Sequence, residues 1–223
     1  MNENYIYEYQ LLSSGKSEQN IDAFYVEIHS DVTQITSPPE WLGSVSEARK
    51  KIVYWGSRGR EFDIAPKEER NEFGFASKEM PSVVTYYSSG YIETPKVPEG
   101  EAPPLESIVG ADIFENSIQG KTIGPRKLPD DISDSALLDT LYSYLTFSCD
   151  TIWIENRGVC RSLEAKLDNV ARQLERGNTK TAANNLQAFL NELQALKENQ
   201  LSSEAFALLY YNGEYLLDQL RNP

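Results

Sequence analysis

Histidine occurs once in these 223 residues, at His29, and cysteine and methionine occur twice each. A Ser-His-Asp set would have to use His29, which lies in an alternating stretch, and no Gly-x-Ser-x-Gly elbow accompanies it. A Cys/His zinc site is poor, because His29 is far in sequence from Cys149 and Cys160. Basic residues are scarce as well. Lys and Arg total 21 against 34 Asp and Glu, a formal net charge of -13. Nucleic acid and anionic membrane surfaces both need clustered cations, so neither is an expected partner. No apolar run approaches the ~20 residues of a membrane span, and no membrane insertion is expected. Phosphate-loop and dinucleotide fingerprints are missing too. No catalytic residue and no cofactor is therefore expected.

What remains is an ordinary globular composition, 40% hydrophobic and 25% charged. Domains usually run ~100–150 residues, so one large or two small domains are expected, with cores that need no metal. The acid excess keeps such a protein soluble. Cys149 and Cys160 stand close together with no others to pair with, which favours a disulfide over two free thiols. A disulfide implies an oxidising compartment. The start, Met1-Asn2-Glu3-Asn4, runs straight into the strand-like Tyr5-Ile6-Tyr7-Glu8-Tyr9. A cytosolic protein and a secreted protein without its leader share such a start. The cysteines favour the secreted, extracytoplasmic one.

The front of the chain carries period-two patterning. Over Asp22–His29, Phe24, Val26 and Ile28 alternate with Ala23, Tyr25, Glu27 and His29, the signature of a half-buried strand. Further strands are expected at Tyr5–Leu12, Lys51–Trp55, Phe62–Ile64, Phe73–Ala76 and Ser82–Tyr87, separated by Gly, Pro and Ser breakers. Ser46–Lys50 offers a short helical turn at most. Many short strands at this spacing favour an antiparallel sandwich or barrel. A Pro-rich, acidic stretch follows at about residues 93–110, either a linker or a surface loop. Asp112–Ile123 reads as one more strand or hairpin around Gly120, which favours the loop. Gly124-Pro125 and Pro129 then mark the boundary.

After Pro129 the period changes to 3.6. Ile132–Phe147 is capped by Ser133 or Asp134 and lines up Leu137, Leu138, Leu141, Tyr144 and Leu145. A second helix spans about Gly158–Arg176, with Gly177 as its left-handed stop and Asn178 capping the next. The third runs from about Lys180 to Glu198, and Ser202 caps the fourth. Short connections make neighbours antiparallel, so their apolar stripes form a four-helix core. The expected class is α+β: an N-terminal antiparallel β-sandwich over residues 1–125, a linker at 126–130, and a helical bundle over 131–223.

Three helical stretches resemble a known family: Arg161-Ser162-Leu163-Glu164-Ala165-Lys166-Leu167-Asp168, then Arg176-Gly177-Asn178, then Ala182-Ala183-Asn184-Asn185-Leu186-Gln187-Ala188-Phe189-Leu190-Asn191-Glu192-Leu193. This Ser-Leu-x-x-Lys-Leu, Gly-Asn and Ala-x-x-x-Leu-x-Ala-Phe pattern resembles the FIMAH-type helical domain, over about residues 158–220. The resemblance implies a small bundle near the C-terminus of secreted bacterial proteins. The family's Gly-Lys near the third helix's end is replaced by Glu198-Asn199-Gln200. Ser37-Pro38-Pro39-Glu40-Trp41, Val53-Tyr54-Trp55 and Phe73-Gly74-Phe75 resemble β-sandwich modules of secreted or surface proteins. Neither family brings an established catalytic set.

Two features bear on binding. Asp130, Asp131 and Asp134 cluster without the EF-hand spacing, and a helix N-terminus explains acids there, so no metal is expected. Trp41, Tyr54, Trp55, Tyr86, Tyr87 and Tyr91 lie at strand ends or turns. Such rings either fill a sandwich core or face a ligand as flat platforms for sugars. The expected function is a non-catalytic structural or interaction module of a secreted or cell-surface bacterial protein, with a protein or glycan partner. A carbohydrate-binding module using those rings is the alternative. A two-carboxylate hydrolase is the third reading; it requires a cleft between the halves with two facing acids, at least one with a perturbed pKa.

Overall fold

The computed structural model describes residues 4–47, 51–90, 114 and 117–222. Eight strands come first: β1 (Tyr5–Leu12), β2 (Ala23–Glu27), β3 (Thr33–Thr36), β4 (Trp41–Ser46), β5 (Ile52–Ser57), β6 (Glu69–Ser77), β7 (Met80–Ser89) and β8 (Ile118–Arg126). They form two sheets, ordered β1-β6-β3 and β4-β5-β2-β7-β8. The pairings β1–β6, β3–β6, β2–β5, β2–β7 and β4–β5 are antiparallel. Four helices follow: α1 (Asp134–Asp150), α2 (Arg157–Glu175), α3 (Thr179–Leu196) and α4 (Ser203–Arg221). The class is α+β, an antiparallel sandwich and a helical bundle. Two compact units result: Met1–Glu79 with Val84–Pro125, and Met80–Val83 with Arg126–Pro223.

Alternation explains the sandwich. Tyr7, Tyr9 and Leu11 of β1 and Phe73 and Phe75 of β6 meet Phe24, Val26, Val53 and Trp55 of the other sheet in one buried cluster. Rings dominate it: Trp55 stacks on Phe24 at 5.5 Å and meets Phe73 edge-on at 5.9 Å. Buried rings carry polar tips that need partners. Tyr9 Oη donates to the Ile123 carbonyl at 2.9 Å, and Trp55 Nε1 to Thr36 O at 2.8 Å.

Several expectations change here. β2 is buried on both faces rather than half-buried, because Ala23 and Tyr25 pack with Ile52 and Tyr87 under Tyr54 and Phe114. Phe62–Ile64 is no strand. Arg60–Phe62 is a 3-10 turn, and Ile64 forms an isolated bridge to Ile21. β3 and β4, unexpected from the pattern, pair with β6 and β5. Gly120 lies inside β8 rather than in a hairpin turn. A Cβ there would meet the Tyr86 ring at 2.5 Å, so the close approach requires glycine. Residues 48–50 of the turn expected at Ser46–Lys50, and the Pro-rich stretch at 93–110, lie outside the described residues; Ser46 ends β4.

The helices follow their capping signals. Ser133, Asn156 and Ser202 each accept a backbone N–H of the first turn of α1, α2 and α4. Gly177 has φ +70. Its N–H bonds to Leu174 O and that of Asn178 to Gln173 O, a Schellman stop for α2. Asn178 stands at the N-cap of α3, but its side chain donates to Gln173 instead of accepting from the helix. Leu141, Leu163, Leu167, Leu186, Phe189, Leu193, Leu208, Leu209 and Leu216 are fully buried within this unit. No described helix is long and apolar enough to cross a membrane.

Candidate functional site

The six aromatic candidates separate on burial. Trp41, Trp55 and Tyr87 are 3%, 0% and 4% exposed. They are core residues rather than ligand-facing rings, and their polar tips are used internally. Trp41 Nε1 donates to Phe62 O at 3.1 Å, and Tyr87 Oη to Glu27 Oε1 at 2.9 Å. Tyr86 and Tyr87 do point to opposite faces of β7, yet each face is covered. Tyr86 is half-buried against the sandwich core and lies over Gly120. Tyr54 is half-buried against Tyr25, ring centroids 5.2 Å apart. Tyr91 lies outside the described residues. His29 is exposed, with its N–H on Pro125 O.

The acids give a different picture. Asp130 and Asp131 are exposed in a turn, Asp130 3.8 Å from Lys127, and Asp134 opens α1. A second pair, which the pattern did not single out, lies in the β unit. Asp22 precedes β2, and Asp63 follows the 3-10 turn. The Ser57 hydroxyl donates to Asp63 Oδ1 at 2.5 Å, and the Ser89 hydroxyl to Asp22 Oδ1 at 3.4 Å. Burial and then the charge of Asp63 raise the pKa of Asp22. Burial also pushes the neighbouring Tyr25 phenol up to about 12 and raises Tyr54, with Asp22 a lesser cause for both. The pair thus has one raised pKa, but both acids lie within the β unit, and the hydrolase reading calls for a cleft between the halves. Asp63, moreover, is only 8% exposed and its carboxylate is held by Ser57, so little of it is open to a substrate.

In the helical unit, Cys149 at the end of α1 and Cys160 in the first turns of α2 form a disulfide, Cα atoms 6.1 Å apart. Beside it is an open hollow of about 160 Å³ lined by Tyr142, Leu145, Thr146, Cys149, Asp150, Cys160 and Glu164. Tyr142 Oη donates to Asp168 Oδ1 at 2.7 Å. Burial and then that carboxylate raise the Tyr142 pKa. The disulfide-closed turn carries Ile152 at its tip, 83% exposed. The Ser-Leu-x-x-Lys-Leu residues also find their use. Ser162 Oγ donates to Glu192 Oε1 at 2.7 Å, and Lys166 Nζ lies 2.5 Å from Glu192 Oε2, tying α2 to α3. Both charged side chains are partly buried, which strengthens the pair relative to a surface one.

Comparison with known proteins places the helices. Residues 138–218 match the family model of the FIMAH domain. An uncharacterized protein from Nocardia farcinica, whose crystal structure reveals an immunoglobulin-like fold, is similar with a TM-score of 0.32 and 15% identity, over 45% of this chain and 82% of that one. No curated protein matches the chain.

Proposed function

We propose that this chain, whose residues 138–218 match the FIMAH domain, is a non-catalytic structural or interaction module of a secreted or cell-surface bacterial protein. The observation that carries the reading is the Cys149–Cys160 disulfide, set inside the matched helices. Disulfides persist in oxidising compartments, so the bridge supports an extracytoplasmic location. The net charge of -13 supports a soluble surface with no affinity for nucleic acid. Among possible partners at a cell surface, protein is favoured over glycan. Sugar binding needs flat exposed rings, and among the described residues Trp41, Trp55 and Tyr87 are buried while Tyr54 and Tyr86 pack on their own unit.

The test is thiol titration of the unfolded protein, before and after reduction, on material exported to an oxidising compartment. Two thiols that appear only after reduction are expected. Two free thiols from the start would sink the extracytoplasmic reading. On the bridged protein, denaturation with and without reductant is expected to differ by about 3 kcal/mol, the loop-closure value for a loop of this size. Turnover of chromogenic glycosides by the same material would replace the non-catalytic reading with the hydrolase one.

A further inference from the structure

β1 is a sheet edge that nothing blunts. It ends the three-stranded sheet and, among the described residues, pairs only with β6. Edges are usually short, bulged or marked by lysine or proline, because a row of unpaired N–H and C=O groups invites another strand. The other edges carry such marks. β3 is four residues long with Gln34 at φ 52, β4 contains Gly43, and β8 carries Lys121 and Pro125. β1 runs for eight residues with no glycine, proline or lysine. Its register slips after Tyr9, but there Asn71 and Glu72 of β6 stand against Gln10 alone, so the extra residue belongs to β6.

Backbone direction fixes which groups face the open edge. Ser13, just past β1, sends its N–H to Glu68 O at 2.9 Å and accepts Lys67 N–H at 3.0 Å, both in the segment leading into β6. The Tyr7 carbonyl points the same way, since a Cβ on Gly74 of β6 would meet it at 2.7 Å. Bonding direction alternates along a strand, so Ile6, Glu8, Gln10 and Leu12 turn their N–H and C=O groups to the other side. Among the described residues no backbone hydrogen bond meets those four groups across that edge. Their side chains are all exposed, Ile6 by 61% and Leu12 by 69%. Along the strand that face reads apolar, acid, amide, apolar.

We infer that β1 pairs antiparallel with β1 of a second copy of this chain, with Ile6 opposite Leu12 of the partner subunit and Glu8 opposite Gln10 of the partner subunit. The two-fold axis repeats each pair. A register shifted by one residue would set groups that point to the edge against groups that point to β6. A shift by two in one direction sets Glu8 opposite Glu8 of the partner subunit, and like charges directly opposite destabilise a strand pair. The same shift the other way sets Glu8 opposite Leu12 of the partner subunit and leaves Ile6 beyond the end of the partner strand. In the inferred register the apolar ends cover each other and each Glu8 carboxylate faces a Gln10 amide. Gln10 Nε2 gives one hydrogen to Glu69 Oε2 of its own chain at 3.0 Å and has a second to donate. Pairing along one strand is small against a standard interface, so the dimer is a reversible one. The net charge of -13 on each chain opposes association, so added salt tightens it. The inference goes beyond the module reading and holds in either compartment, because it concerns the β unit alone.

The experiment is sedimentation velocity of the 223-residue chain over a range of concentrations. A reversible monomer–dimer equilibrium is expected. Gln10→Glu opposes like charges in both symmetry-related pairs and is expected to raise the dimer dissociation constant roughly tenfold. Gln10→Glu combined with Glu8→Lys opposes unlike charges and should restore it to within about threefold of wild type. Both positions are exposed, and thermal melting of each variant checks that the β unit stays folded. Amide exchange gives a reading that needs no variant: Ile6, Glu8, Gln10 and Leu12 should exchange more slowly as concentration rises, while Tyr7 and Tyr9, which face β6, should not change. A chain that stays monomeric at high concentration would overturn the proposal. So would a dimer that Gln10→Glu leaves untouched, or one in which the four edge amides keep their monomer exchange rates.

Discussion

The two units of this chain solve the same burial problem with different chemistry. The β unit fills its core with rings: Trp41, Trp55, Phe24, Phe73, Phe75, Tyr7 and Tyr9 are all buried there. The helical unit uses leucine, with Phe189 the one ring among its largest fully buried side chains. Rings bring polar tips, so the β core is pinned by long-range hydrogen bonds such as Tyr9 Oη to Ile123 O. Leucine brings none, so the helices get their definition from caps, the Ser162–Lys166–Glu192 tie and the disulfide. An aromatic core is specific in direction and hard to edit. A leucine core tolerates small shifts, because each side chain is a flexible end with no partner to lose.

Trp55→Ala breaks this comparison hardest. It removes the ring that touches Tyr9, Phe24, Phe73 and Phe75, and with it the donor to Thr36 O. A loss of about 3–5 kcal/mol is expected by denaturant titration, with collapse of the near-ultraviolet aromatic dichroism. A stability loss under 1 kcal/mol would show that the rings fill space without interlocking.

A pair of glycines sharpens it. At Gly74 in β6 an added Cβ would meet the Tyr7 carbonyl oxygen at 2.7 Å and Thr36 Oγ1 at 2.9 Å. Backbone does not yield, so Gly74→Ala is expected to cost about 1–3 kcal/mol. At Gly213 in α4 the nearest atom is Leu190 Cδ2 at 2.8 Å, the end of a side chain. Displacing it is offset by the ~1 kcal/mol that alanine gains over glycine in a helix. Gly213→Ala is therefore expected to stay within about 0.5 kcal/mol of wild type. Equal losses at both sites, read from the same urea series, would erase the distinction between a rigid and a yielding core.

The smallest effect is at the Pro38-Pro39-Glu40-Trp41 turn of the β unit. Trp41 N–H closes it on Pro38 O at 3.1 Å, with Glu40 at φ 63. That is a type II turn with a non-glycine residue where φ is positive. Glu40→Gly relieves the strain of that conformation but loosens the unfolded chain, for a net gain of about 0.5 kcal/mol in the melting curve. A loss of stability would mean that the Glu40 side chain contributes more than its backbone costs.

Legibility differed between the units for a physical reason. In α1 to α4 the partners of a pattern are three or four residues apart, so caps at Ser133 and Ser202, the Gly177 stop and the leucine stripes were readable one by one. A strand's partners lie tens of residues away. The period-two signal located Tyr5–Leu12 to the residue. It missed β3, where Gln34 has positive φ and the register slips, and β4, whose Gly43 and serines carry little strand preference. Phe62–Ile64 looked like a strand because Ile64 does pair, with Ile21, but only as a single bridge.

The amino-acid sequence by itself determined the class, the shift from period two to period 3.6 after Pro129, the close cysteine pair and the acidic balance, because each is a local or summed property. Only the tertiary structure decided which rings are core and which acids meet. Trp41 and Trp55 were open questions until two sheets closed over them, and Tyr87 until Phe114 and Tyr54 covered the other face of its sheet. Asp22 and Asp63 are 41 positions apart in sequence, and Ser57 reaches both, its N–H on the Asp22 carbonyl and its hydroxyl on the Asp63 carboxylate. Contacts over such separations are a property of paired backbones rather than of any one segment alone.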